Sequence, residues 1–242
     1  MKQNKYDDPA FFEAYSKMPR STDGLKSAGE WEVFRTSLPE LSGKKVLDLG
    51  CGYGWHCQYA VDQGAEAVVG IDLSEKMLRK ASELTDKEKV TFKQCAIEDF
   101  VSDEASFDVI FSSLALHYVE DLSSVFHKAS KLLKSKGVLC YSVEHPVFTS
   151  NSSQDWYYEN KKIQHWPLDN YFYEGQRKTK FLGSEVIKYH RTIETHISTL
   201  LSEGFEIRAV LEPKPADEMV EDMGWHDELR RPMMLIITAV KK

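Results

Sequence analysis

Residues Val46 to Gly54 read VLDLGCGYG, a short apolar run that breaks into glycines at 50, 52 and 54. Glycine accepts positive φ and lets a ligand come close to the backbone. The stretch from about Trp55 to Gln63 reads as a helix whose N-terminus is aimed at the same spot. Twenty-two residues after Gly50 stands Asp72, closing a second apolar run. A carboxylate there can accept hydrogen bonds from both hydroxyls of a ribose. Together, Asp48, the glycines and Asp72 predict a nucleoside-bearing cofactor. The dinucleotide pattern G-x-G-x-x-G requires glycine at 55, and this chain has Trp55 there. An indole would crowd a pyrophosphate at the helix start, whereas a cofactor without phosphate needs no such contact. A nicotinamide-dependent oxidoreductase is therefore the alternative enzyme reading, not the main one.

Three histidines are candidates for acid–base work: His117, His145 and His190. His117 follows a fourth apolar run. His145 lies in Glu144-His-Pro146 at the end of a fifth, on the edge where open α/β sheets bind ligands. His190, beside Arg191, follows an aromatic-rich stretch. Each also suits a purely structural role. Glu144 can orient a histidine or bind a cation, and if buried it needs a partner. Cys51, Cys57, Cys95 and Cys140 form no Cys-x-x-Cys pair, and no metal site is expected.

These residues need a scaffold, and the chain supplies an alternating one. Strands are expected at 45–49, 67–71, 90–94, 107–112 and 138–143. Helices are expected after Trp55, after an N-cap at Ser74, and from Asp121 to a stop at Gly137, where Leu122, Val125, Phe126, Ala129, Leu132 and Leu133 form one apolar stripe. Such alternation predicts an α/β fold, a mostly parallel sheet with helices on both faces. A helix carrying Ile193, Ile197, Leu200 and Leu201 ends at Gly204, and two strands follow at 205–211 and 233–240. No long helix separates them, so their pairing is expected to be antiparallel. Before residue 45, Gly29 to Leu38 is expected to be a helix with Trp31 and Phe34 turned inward. Between His145 and Tyr189 the alternation stops, and ten of 45 residues are aromatic. The chain thus divides into a cover segment (1–40), a cofactor-binding core (41–145), an aromatic insertion read as a substrate lid (146–189) and a return to the sheet (190–242). The insertion also suits a satellite core or the face of a homodimer.

The formal net charge of −7 gives no general attraction for nucleic acid. The lysines and arginines of the insertion are interleaved with acids, as on a solvated surface. Met1 to Ala10 has no apolar signal region, no stretch is long enough to span a membrane, and reduced thiols fit the cytoplasm. The expected partner is a small molecule, with neither nucleic acid nor membrane involved.

Asp48 to Gly54 resembles motif I of the class I S-adenosylmethionine (SAM) methyltransferases. Ile71-Asp-Leu-Ser74 is similar to that family's ribose-binding turn, followed by a methionine, here Met77, that packs on adenine. Ala96-Ile-Glu-Asp99 falls where the family contacts adenine. Residues 106–118 resemble the strand-four motif of its small-molecule branch, which includes ubiquinone-biosynthesis enzymes. The resemblance implies a Rossmann-like sheet of seven strands, the last reversed. It implies SAM as cofactor, with Asp48, Gly50, Cys51, Gly52, Asp72, Leu73, Met77, Ala96, Ile97, Glu98 and Ser112 around it. Tyr15 and Arg20 would close over it, Arg20 pairing with the methionyl carboxylate. His117 would lie beside the transferable methyl. Many relatives carry an aspartate where this chain has Cys95 or Ala96, so Glu98, Asp99 or backbone must supply that contact. The function implied is methyl transfer to a small molecule at an unassigned O, N or C atom. A SAM-binding protein without transferase activity would carry the same motifs.

Overall fold

The computed structural model describes residues 3–86 and 88–242. Its N-terminal segment carries three short helices, Pro9–Ser16 (α1), Pro19–Thr22 (α2) and Trp31–Ser37 (α3). The alternating part follows: Lys45–Leu49 (β1), Trp55–Asp62 (α4), Ala67–Asp72 (β2), Glu75–Leu84 (α5), Val90–Gln94 (β3), Phe107–Ser113 (β4), Leu122–Leu132 (α6) and Leu133–Glu144 (β5). After a one-turn helix, Pro146–Thr149 (α7), come strands Tyr157–Glu159 (β6), Lys162–His165 (β7), Gly175–Phe181 (β8) and Ser184–His190 (β9). Ile193–Ser202 (α8), Phe205–Leu211 (β10), Asp217–Met223 (α9) and Met234–Lys241 (β11) complete the chain.

One seven-stranded sheet runs in the order β10-β11-β5-β4-β1-β2-β3. Neighbours among β1 to β5 pair in parallel, and β11 pairs antiparallel with both β5 and β10. This is the Rossmann-like arrangement with a reversed final strand. Strand periodicity explains its two cores. Leu47, Ile110 and Ile237 face α6 and α8, while their neighbours Val46, Val109 and Ile236 face α3, α4 and α5. Trp31 and Phe34 of α3 are buried in the second core. The order turns back between β1 and β4, which opens a crevice at their carboxyl ends.

Local chemistry ends the elements. Ser74 Oγ accepts from Met77 N and caps α5, Asp121 caps α6 through Ser124 N, and Gly204 turns the chain after α8 with φ +84°. The expected stop at Gly137 is corrected: α6 ends at Leu132, because Leu133 is already extended and pairs with Phe107. Gly137 serves a kink inside β5 instead, where Lys136 has φ +64° and an added Cβ on the glycine would lie 2.8 Å from Lys134 O.

The insertion consists of two antiparallel hairpins, β6–β7 and β8–β9, neither paired to the main sheet. Asn160 and Lys161 turn the first, Leu182 and Gly183 the second, all with positive φ, as tight two-residue hairpin turns require. Much of its aromatic content packs on itself. The buried Arg231 guanidinium sits 4.3 Å from the Trp166 ring centre, 4.8 Å from Phe148 and 5.3 Å from Trp156. That is a cation–π box, of which only Phe148 reaches the crevice.

Candidate active site

The crevice deepens into one cavity of about 640 Å³, within the range of small-molecule sites. One end is made by the turns after β1, β2 and β3. Gly50 N and Cys51 N both donate to Ile71 O at 2.9 Å, which ties the glycine loop to the end of β2. Gly50 has φ +80°, and a Cβ there would stand 2.4 Å from Ala115 Cβ, so only glycine lets the β1 and β4 loops meet. At Gly52, with φ +53°, an added Cβ would meet nothing within 4 Å. The loop therefore presents bare backbone to the cavity. The Asp72 carboxylate accepts from Gly52 N and Ser74 N, each at 2.9 Å. Burial raises its pKa, and those two amides oppose the shift. Leu73, Met77, Ala96, Ile97 and Glu98 continue this wall. Trp55 also lines it, and its buried indole Nε1 has no partner among the described residues. A bare glycine edge, a carboxylate with spare lone pairs and an unpaired indole N–H are what the ribose and methionyl parts of SAM require, so the residues present fit that group.

Two N-terminal residues reach the same end. Tyr15 and Arg20 both line the cavity. Arg20 Nη2 donates to Glu30 at 2.8 Å, so part of its charge is already balanced inside the protein.

The other end is walled by Phe11, Tyr118, Phe148, Phe181, Met233 and Met234 around His117. Burial pushes the His117 pKa down to about 4, so the imidazole is neutral at pH 7. Its Nδ1 accepts a long, 3.4 Å hydrogen bond from Glu144 N, which leaves the proton on Nε2. Glu144 is held by the insertion: Oε1 accepts from Lys188 Nζ at 2.5 Å and Oε2 from Gln154 Nε2 at 2.9 Å. Burial opposes its ionisation, but His117 and Lys188 outweigh that and hold its pKa below the ordinary value. Lys188, itself 3% exposed, donates also to Gln154 Oε1. The floor of this end is thus an internally neutral ion pair joining β5 to β9.

Four expected site residues lie elsewhere. His145 does not line the cavity: Nδ1 accepts from Val147 N, and Nε2 lies 2.8 Å from Glu212. His190 is likewise outside, with Nδ1 on Thr149 Oγ1 and Nε2 on Tyr171 O. His190 thereby ties β9 to α7 and to Tyr171, whereas His145 caps α7. Ser112 donates to Leu49 O at 2.6 Å inside the sheet, and its neighbour Ser113 faces the cavity instead. Asp48 points toward α4, where Cys57 Sγ donates to it at 3.3 Å, and burial raises its pKa to about 8. Alternation along a strand accounts for both misplacements, since one residue's shift changes the face. The residues that sequence reasoning passed over are Gln3, Asn4, Tyr6, Tyr118, Lys188, Met233 and Met234, all on the cavity wall. The one local signal was Asp8-Pro9, an N-cap followed by proline at the first helical position, which marks where the segment before α1 ends.

A family model described as a methyltransferase domain matches residues 40–200. Among solved structures, an S-adenosylmethionine-dependent methyltransferase from Mesorhizobium loti is 38% identical, with a TM-score of 0.85 over 90% of this chain and all of that one. A Listeria monocytogenes structure, provisionally described in the same terms, is 50% identical, with a TM-score of 0.87 over 90% of this chain and 99% of that chain. The ubiquinone biosynthesis O-methyltransferase of Actinobacillus pleuropneumoniae is 38% identical over 42% of this chain and 46% of its own length. That match spans under half of either protein. With fold, domain match and two nearly full-length structural relatives in agreement, the chain belongs to the SAM-dependent methyltransferases, and SAM is its cofactor.

Proposed function

We propose that the enzyme methylates a small molecule held at the His117 end of the cavity. The observation that carries this is the continuity of that cavity, from bare glycine backbone to an enclosed aromatic and methionine wall. SAM supplies an activated methyl group on a sulfonium that leaves as a neutral thioether. The chain's task is alignment and exclusion of water. Asp72 holds the ribose hydroxyls, Gly50, Cys51 and Gly52 pass along the methionyl part, and Arg20 with Tyr15 closes over its carboxylate. Leu73, Met77, Ala96, Ile97 and Glu98 enclose the adenine. His117, neutral and carrying its proton on Nε2, donates a hydrogen bond that orients the acceptor atom; a pKa near 4 makes it a weak base. The net charge of −7 and the enclosed wall favour a small acceptor over nucleic acid. No helix among the described residues is long and apolar enough to cross a membrane, and four cysteines kept as thiols, Cys51, Cys57, Cys95 and Cys140, support a reducing, cytoplasmic setting.

Two measurements test this. Methyl-labelled SAM is incubated with the enzyme and a cell extract split by size; label in the low-mass fraction is expected, and label only on protein or RNA overturns the small-molecule reading. S-adenosylhomocysteine titrated into Asp72→Ala is expected to bind more weakly by about 1.5–3 kcal/mol, as for lost hydrogen bonds to a charged group. Unchanged affinity overturns the ribose assignment.

A further inference from the structure

Residues 3–8 form an arm that crosses from one half of the cavity to the other. Gln3, Asn4, Lys5 and Tyr6 all line the cavity. On the cofactor side, Asn4 Nδ2 donates to Leu73 O at 3.3 Å, one residue beyond Asp72. Asp7 accepts from Ser74 Oγ at 2.6 Å, Lys76 N at 3.1 Å and Glu75 N at 3.3 Å, so it completes the cap of α5. On the acceptor side, Gln3 pairs with the backbone of β9 as a strand residue would. Ile187 N donates to Gln3 Oε1 at 2.8 Å, and Gln3 Nε2 donates to Ile187 O at 3.4 Å. The next residue on β9 is Lys188, which holds Glu144. Between the two anchors, the Tyr6 ring meets Phe11 and Tyr15 edge-on at 5.1 Å and Tyr118, the neighbour of His117, at 6.5 Å.

The arm makes most of its anchors with side chains on the backbone of two separate elements. Ordering six residues is a single entropic cost shared by both ends. Whatever fixes one end lowers the cost of fixing the other, and such coupling is reciprocal. Resting on the assignment of residues 72–77 to the cofactor, we propose that cofactor binding orders the arm, and that the ordered arm fixes the β8–β9 hairpin and completes the acceptor wall. Tyr6 is the positioning residue between the halves. The acceptor is then admitted to the cofactor-loaded enzyme, not to the free one.

Hydrogen–deuterium exchange on the full chain tests this without knowing the acceptor, with S-adenosylhomocysteine as the probe. Bound ligand is expected to slow exchange in both 72–80 and 184–190. In Gln3→Ala at saturating ligand, protection of 72–80 is expected to stay within about twofold of the parent, while the Kd is expected to rise by about the factor that the hairpin loses, because the coupling is reciprocal. Protection of 184–190 is expected to fall by about fivefold or more, the low end of coupling between sites. Tyr6→Ala should behave like Gln3→Ala, while Tyr6→Phe, which keeps the ring and loses only the hydroxyl bonded to Tyr118, should keep most of the parent's protection. Protection confined to 72–80 in the parent, or a hairpin equally protected in Gln3→Ala, overturns the coupling and leaves the cofactor assignment standing. No binding of the probe removes the cofactor assignment, and the coupling with it.

Discussion

The two halves of the cavity are built by different means. The cofactor half is made of short turns on consecutive β–α units, and it presents backbone: bare glycine at 52 and amides gathered onto Asp72 and Ile71. The acceptor half is made of side chains from segments distant in sequence: Phe11, His117, Glu144, Lys188 and Met233. Backbone geometry tolerates little change, so the first half suits a fixed ligand. Side chains on loops and inserted hairpins change with little disturbance to the sheet, so the second half can be reshaped while the first is kept.

The largest effect that would break the comparison lies at the seam. Lys188→Met leaves Glu144 buried without its cation, and truncating one partner of a buried pair costs about 3–5 kcal/mol. Chemical denaturation should show that loss. The double variant Lys188→Met with Glu144→Gln should recover most of it, and a double variant as unstable as the single would mean that packing, not charge, joins the insertion to β5.

A smaller effect is read from the pH dependence of stability. The His117 pKa falls to about 4 and that of His196 to about 3, both through burial. Their folded values lie below the ordinary 6.5, so the unfolded chain binds protons that the folded chain does not. Their contribution is intact above pH 6.5 and is lost as the pH falls toward 4. Asp48 behaves oppositely, with its pKa raised to about 8. Its contribution is present below the ordinary 3.8 and is lost as the pH rises through 8. Each net proton corresponds to a slope of about 1.4 kcal/mol per pH unit. His117→Gln should therefore flatten the acid limb of stability against pH, and Asp48→Asn should remove a decline that runs from about pH 4 to about pH 8. If neither slope changes, the two groups are solvated in the folded protein.

The smallest effect concerns the aromatic box. Arg231→Met removes the cation from Phe148, Trp156 and Trp166 and should cost about 1–2 kcal/mol of stability. The affinity for S-adenosylhomocysteine should be unchanged. A large loss of cofactor affinity would show that the box, which reaches the cavity only through Phe148, supports the cofactor half as well.

Legibility in sequence follows the same division. Local, backbone-driven features could be read directly. Ser74 and Asp121 cap the helices expected of them, Trp31 and Phe34 turn inward, and the last strand is reversed. The acceptor half was less legible, because its partners are chosen by tertiary packing. His145 and His190 sit at suggestive points in the chain, but His190 uses both ring nitrogens on internal hydrogen bonds and His145 uses Nδ1 to cap α7, with Nε2 turned toward Glu212. Lys188 carries no sign in sequence that it will meet Glu144, 44 positions away. The hairpin turn at Leu182-Gly183 lacks the usual Asn-Gly or Asp-Gly mark, and Gly137 looked like a helix stop while serving a kink inside a strand. The density of aromatics in the insertion was plain, but only Phe148, Phe181 and Tyr189 of the ten reach the cavity.

Strand β11 has a consequence for how the molecule is made. It enters the sheet between β5 and β10, both of which leave the ribosome before it. Until residues 234–241 emerge, β5 and β10 each present an unpaired edge where β11 will sit, the kind of surface that recruits other chains. Met233 and Met234, at the entrance to that strand, reach the cavity only when it inserts. A nascent chain can thus assemble its glycine loop early and still lack part of its acceptor wall, so the period in which it most needs protection from aggregation is also the period in which it has no completed site.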